Sequence, residues 1–211
     1  MAGFYRFLLW TGIILGAIGA ILYFAFLDVW TLPSDDPQFA VSVEPTLSAG
    51  DLVLAARHGS PSTGNLVRCA DPDEPRRFVV GRWVAGGGDR VDFNSETLLI
   101  NGAHFSSPGG CLRPATPLTN PASGAEETLV CRQIEFGGIT HEALFAREHA
   151  EGNRSLKVDP GKIALVSDNR HMHQDSRDFG SIDPSSCQHI LFRLWGRAGY
   201  GDAPHRFNII W

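Results

Sequence analysis

Hydrophobic and polar positions divide this chain into two regimes. Residues 7–27 run without a single charge and are apolar almost throughout. That length suits a helix crossing the hydrocarbon of a bilayer. Gly12, Gly16 and Gly19 do not disturb this reading, because glycine is common in membrane helices. Trp10, Tyr23 and Trp30 are placed to act as interface aromatics. The run is longer than the apolar part of a secretory signal, and no small-x-small cleavage site follows it, so an uncleaved anchor is expected. Arg6 lies before the run, and Asp28, Asp35 and Asp36 lie after it. Few charges are involved, but the asymmetry points to residues 1–6 on the cytoplasmic side and the rest outside.

Beyond a linker at 28–38, marked by Pro33, Ser34 and Pro37, the pattern turns to short apolar runs separated by Gly, Pro, Asn and Asp. Such punctuation predicts β-strands. The runs fall at 39–43, 52–56, 65–69, 78–85, 90–94, 129–136, 139–145, 158–166 and 189–195. Residues 97–105 hold Asn101-Gly102 between two apolar arms, a hairpin signal because both turn positions need positive φ. Gly137-Gly138 predicts a second hairpin between 129–136 and 139–145. Residues 108–125 are rich in Gly, Pro, Ser and Thr and read as a loop, and 147–153 as an exposed polar segment. Tyr200, Phe207, Ile209, Ile210 and Trp211 in the tail read as core, with a lipid-touching patch as the other reading.

Composition changes this picture little. The 211 residues allow one ordinary domain, with an anchor or an inserted subdomain. A net charge of -5 gives no electrostatic basis for binding nucleic acid. The only lysines are Lys157 and Lys162, and arginine supplies the other sixteen basic residues. Cys69, Cys111, Cys131 and Cys187 show no C-x-x-C spacing, which argues against zinc. Their even number fits an oxidising compartment. Cys111 and Cys131 bracket the 108–125 loop and are the expected disulfide, whereas Cys69 and Cys187 either pair or stay buried thiols.

The densest chemistry lies at 167–180, where Asp168, Asn169, Arg170, His171, His173, Asp175, Arg177 and Asp178 follow a strand-like run. So many ionisable groups at a strand end are costly unless they pair or work. Ser42-Val43-Glu44-Pro45-Thr46-Leu47, followed by Gly50-Asp51, is their expected companion.

Taken together, these stretches resemble the type I signal peptidases. Residues 42–51 are similar to the S-M-x-P-T-L…G-D signature of that family. Gly81-Arg82-Trp83-Val84-Ala85-Gly86-Gly87-Gly88-Asp89-Arg90-Val91 resembles its K-R-V-x-G-x-P-G-D-x-V box. Ile100-Asn101-Gly102 matches its I-N-G hairpin, and 167–180 its G-D-N-R-x-x-S-x-D-S-R-x-x-G box. The resemblance runs from about residue 39 to 195. It implies a mostly β fold: one N-terminal transmembrane helix (7–27), then an antiparallel β catalytic core (39–100 and 156–211) with a smaller inserted β subdomain (101–155). It implies a serine endopeptidase in the bacterial cytoplasmic membrane, its catalytic domain outside the cytoplasm. Its partners would be the lipid bilayer and the signal peptides of exported preproteins, cut after small residues at -3 and -1. No cofactor is implied. Ser42 takes the nucleophile's place, Val43 a pocket-lining place, and Asp168, Asn169, Asp175 and Arg177 supporting places.

Two departures matter. Gly81 occupies the slot of the lysine base and carries no proton acceptor. Arg82 cannot substitute, because guanidinium stays protonated. Where the family has a serine that hydrogen-bonds that lysine, this chain has His173. The volume left by Gly81 and the added imidazole suggest a relocated base, with Ser42 and His173 as a dyad and Asp175 orienting the ring. Ala40 stands where some members carry a serine that helps hold the oxyanion. Two other readings stay open. One is an inactive relative that binds peptides or a partner peptidase. The other is a metal site at His171, His173 and Asp175. The remaining histidines, His141 among them, match no box and are expected to be structural or exposed.

Overall fold

The computed structural model describes residues 2–93, 98–105, 109–147 and 154–210. It opens with a 25-residue helix, α1 (Ala2–Phe26), starting earlier than the apolar run alone suggests. Its apolar side chains point outward, and Gly3–Phe26 has a mean hydropathy of 2.1. At ~1.5 Å per residue it is long enough to cross a bilayer.

The expected linker instead begins as strand β1 (Leu27–Thr31), paired antiparallel with β2 (Leu52–Ala56). Trp30, expected at a membrane interface, turns into the domain. It meets Phe39 and Phe78 edge-on at 6.2 and 5.6 Å, and the Arg68 guanidinium lies 5.0 Å from its ring. Between β1 and β2 lies the clearest correction of the sequence reading: residues 39–43 are not a strand. Helix α2 (Pro37–Ser42) stands there. Asp36 caps it, its Oδ1 accepting from the Gln38 and Phe39 amides at 3.0 Å each, with Pro37 at the first helical position. Phe39 and Val43, four apart, then fall on one face and are both buried.

The remaining strands are β3 (Leu66–Ala70), β4 (Phe78–Gly86), β5 (Arg90–Phe93), β6 (Leu98–Ile100), β7 (Ala103–His104), β8 (Ala115–Thr119), β9 (Glu126–Phe136), β10 (Ile139–Phe145), β11 (Arg154–Lys157) and β12 (Ile163–Val166). A short helix α3 (Ser176–Phe179) follows, then β13 (Cys187–Trp195) and β14 (Asn208–Ile209). The main sheet runs β1-β2-β13-β3-β4-β12, with β14 also on β13. A second runs β10-β9-β8 and a third β11-β5-β6-β7. The described pairings are antiparallel between named strands, and the fold is mostly β.

Both predicted hairpins are present. Asn101 and Gly102 take φ of 51° and 79°, the conformation that made Asn-Gly diagnostic. The 108–125 loop contains β8, an edge strand, where Pro117 costs no ladder hydrogen bond on its open side. Of the run expected at 158–166 only Ile163–Val166 is strand, because Asp159-Pro160-Gly161 turns the chain between β11, which ends at Lys157, and β12. Asn94, Thr97, Pro108, residues 148–153 and Trp211 lie outside the described residues.

Strand β4 is buried on both faces. Val80 packs with Phe39, Val43, Leu47 and Ile190, whereas Val79 packs with Val67, Ile163, Leu165 and Ile182. Two disulfides are formed. Cys111–Cys131 is the expected one, and Cys69–Cys187 joins residues directly opposite on β3 and β13. By loop entropy the latter, spanning 118 residues, contributes on the order of 4–5 kcal/mol. The tail is divided: Ile210 is core, but Tyr200, Phe207 and Ile209 are exposed. Val29, Leu54, Phe192 and Ile209 oppose one another across β1, β2, β13 and β14, giving the outer face of this sheet an apolar row.

Candidate active site

The 167–180 segment follows β12 and folds back against α2. The Asn169 amide donates to the Ser42 carbonyl at 3.2 Å, and its side-chain amide to the Val41 carbonyl at 2.9 Å. Gln38 Nε2 donates to the His173 carbonyl at 2.7 Å. Gln38 and Ser42 are one helical turn apart, so the same side of α2 meets the segment at both points. Asn169 Oδ1 also accepts from the His171 and Met172 amides, shaping the turn that carries His173. Thus the two stretches that the sequence paired at a distance are joined.

At the inner end of the segment, Asp168 is buried. Arg82 Nε lies 3.1 Å from it, Thr46 donates to it at 2.6 Å, and His141 Nε2 is 3.7 Å away. Burial pushes its carboxyl up, but Arg82 and the other neighbouring cations more than offset this and hold it below the usual range. His141 is driven the other way, down to about 3, by burial first and then by the charges of Arg82 and Arg170. It is therefore a neutral, structural imidazole at physiological pH. Arg170 is lowered to about 10, chiefly by burial, and keeps its charge.

Asp175 is also buried and saturated. Its Oδ1 accepts from the Arg177 amide and Nε at 3.0 Å each, and its Oδ2 from Arg177 Nη2 at 2.8 Å and the Ser167 amide at 2.9 Å. Burial opposes ionisation, yet Arg177 brings the carboxyl down to about 2. Ser167 ties the same loop together. Its hydroxyl donates to the Gln174 carbonyl and accepts from the Gln174 amide, closing the loop that holds His173.

The candidate nucleophile and base are arranged as follows. Ser42 ends α2, is 1% exposed, and donates from Oγ to the Phe39 carbonyl at 2.9 Å. Val43 lies in the core beside Leu47 and Val80. The His173 ring faces Asp178, with Nδ1 2.8 Å from Oδ2, while Asp175 Oδ1 is 4.0 Å away. Gly81 does not leave a hole for the imidazole. A Cβ there would meet the Val166 carbonyl at 3.1 Å and Leu165 Cβ at 3.2 Å. Strand β12 runs beside β4 here, with Val166 opposite Arg82. The space beside Gly81 is thus narrow at the Cβ position, lined by the Val166 backbone and Leu165.

The metal reading is not supported by the geometry. His171 Nε2 turns to Glu127 at 2.8 Å, away from the other two residues. His173, Asp175 and Asp178 come close enough to share an ion, but both Asp175 oxygens are already engaged. Sequence reasoning missed the location of His141 and the contact of Asp178 with the ring. The first has no local signal. For the second, the capping-box spacing of Asp175 and Asp178 is local, but the contact of Asp178 with the ring is not read from it.

Comparison with known proteins agrees with the motifs. The family described as "Signal peptidase, peptidase S26" matches residues 6–192. The chain belongs to the signal peptidase family. Signal peptidase IB of Staphylococcus aureus (strain N315) is 26% identical over 175 residues, covering 79% of this chain and 78% of that protein. Signal peptidase I of Bacillus licheniformis is 28% identical over 178 residues, covering 81% and 78%. A crystal structure of a signal peptidase I from Enterococcus faecalis V583 aligns with a TM-score of 0.40 at 18% identity, covering 63% of this chain and 97% of that one. The boxes at 42–51, 81–91 and 167–180 all lie within the matched residues. The departures at Gly81 and His173 fall inside two of them.

Proposed function

We propose that this signal peptidase family member is a membrane-anchored serine endopeptidase that removes signal peptides from exported preproteins after small residues at -3 and -1. Ser42 is the nucleophile and His173 the base in this reading. The observation that carries it is the docking of the His173 loop on the Ser42 helix, through Asn169 to Ser42 and Gln38 to His173.

Ser42 Oγ first exchanges its hydrogen bond to Phe39 for one to the imidazole, a side-chain rotation made before or with substrate binding. Hydrogen bonds of resting sites commonly tighten only with substrate in place. Oγ then attacks the scissile carbonyl carbon while His173 takes its proton. The carbonyl π pair moves to oxygen and is held by backbone amides, since Ala40 offers no hydroxyl. Collapse expels the amine of the mature protein, which takes the proton from His173. Water repeats the sequence on the acyl-enzyme and restores Ser42.

Helix α1 is the single membrane span, with residues 1–6 in the cytoplasm and the β domain beyond the cytoplasmic membrane. The two disulfides support that compartment. The apolar outer row of β1, β2, β13 and β14 adjoins α1 and would rest against lipid.

A second reading has its own observation. Ser42 is buried and its hydroxyl is held by its own helix, as suits a relative that binds peptides or a partner peptidase without cutting. The two part on one experiment. Purified chain in detergent is incubated with a preprotein bearing a small-x-small site, using wild type, Ser42→Ala and His173→Ala. Cleavage by wild type alone supports the peptidase. Cleavage that survives loss of the imidazole removes His173 as base. Binding without cleavage by any of the three favours the second reading.

A further inference from the structure

The proposed mechanism leaves open what orients the imidazole. The sequence points to Asp175, two residues along. The geometry points to a different carboxylate. Asp175 spends both oxygens on Arg177 and the Ser167 amide, and lies 4.0 Å from His173 Nδ1. Asp178 Oδ2 lies 2.8 Å from the same nitrogen, the nearest carboxylate among the described residues.

Asp178 is itself held in place. It is the third residue of α3, and its Oδ2 also accepts from the Asp175 amide at 3.0 Å, while Asp175 caps the same helix. This reciprocal capping box ties the Asp178 carboxylate to the helix start. The His173 main chain is tied separately, by Gln38 to its carbonyl. Ring and carboxylate are thus positioned by different elements that meet at Nδ1.

We propose that Asp178, not Asp175, is the positioning residue for His173: its carboxylate accepts from Nδ1–H and so leaves the basic lone pair on Nε2. Asp178 moves no proton. It selects the tautomer and stabilises the imidazolium formed when Ser42 loses its proton. This rests on the reading of His173 as base, but its geometry can be tested apart from activity.

The test uses the full chain in detergent micelles, labelled with ¹⁵N-histidine, with the His173 signals assigned by their loss in His173→Gln. Long-range ¹H–¹⁵N correlation above neutral pH reads the tautomer, and preprotein cleavage reads kcat and KM. The wild type is expected to hold its proton on Nδ1. Asp178→Asn, which keeps an oxygen to cap α3, is expected to shift the population towards Nε2–H. It should lower kcat by at least ~10²-fold while KM moves less than about threefold. Asp178→Glu keeps both a carboxylate and the usual capping-box residue, and should recover much of the loss. A thermal melt shows that each variant is folded. A tautomer unmoved by Asp178→Asn overturns the proposal, whether or not the wild type cleaves. A wild type that does not cleave, yet shows the tautomer change, sinks the peptidase reading and leaves the Asp178 contact standing.

Discussion

The 167–180 segment has two ends that the fold treats differently. Asp168 lies at the inner end, enclosed by Arg82, Thr46 and His141, with side chains of 1% exposure on both partners of its ion pair. His173 and Asp178 lie at the outer end, where the Asp178 side chain is 41% exposed. The inner charges are fully committed to partners, so they hold the segment against β4 and α2. The outer pair is an imidazole and a carboxylate 2.8 Å apart. In the proposed reading, one box carries scaffold at its inner end and chemistry at its outer end.

The largest effect that would break this contrast lies at the inner end. Asp168→Ala leaves Arg82 buried without its carboxylate and should cost about 3–5 kcal/mol in urea denaturation, whereas His173→Ala should cost less than about 1 kcal/mol. Comparable losses from the two would erase the distinction.

Next comes pH. His141 has a folded value of about 3 against 6.5 in a free side chain. Above pH 6.5 both states are neutral and the residue contributes no pH dependence. As pH falls below 6.5 the unfolded chain binds the proton and the folded one does not, so stability falls, by about 2 kcal/mol at pH 5. His141→Gln should flatten denaturation curves between pH 6.5 and 4. Asp175, held at about 2, contributes stability that is full above about pH 4 and is lost as pH falls towards 2. That acid limb should persist in His141→Gln.

The smallest effect concerns the empty lysine slot. Gly81→Ala places a methyl against the Val166 carbonyl and Leu165, and should cost about 1 kcal/mol by thermal denaturation. A neutral or stabilising result would mean that β12 yields and the slot is open after all.

Much of this was legible in the chain. Residues 7–27 announced α1 by length alone, and Asn101-Gly102 announced its hairpin because few residues tolerate its backbone. Apolar runs bounded by Gly, Pro, Asn and Asp located β2, β4 and β10 closely. Helix α2 was missed because a six-residue helix shows little periodicity, and the Asp36-Pro37 start signal was outweighed by the apolar run after it. Strand β8 was missed because its Pro and Thr content reads as loop, and only pairing with β9 makes it a strand. The site was legible wherever a motif was local. His141 was not, since its burial comes from β10 packing against a segment about thirty residues away, and neither was the choice of Asp178 over Asp175. Sequence distance favoured Asp175, but the competition was decided by Arg177.

The most direct test of the central claim restores the residue that the family carries at position 173. Full-length wild type and His173→Ser are compared for cleavage of a preprotein with a small-x-small site, with the product's N-terminus sequenced. If His173 has become the base for Ser42, wild type cuts at that site and His173→Ser loses at least ~10³-fold in kcat/KM while staying folded. If His173→Ser cuts as fast as wild type, the base lies elsewhere and the account is contradicted.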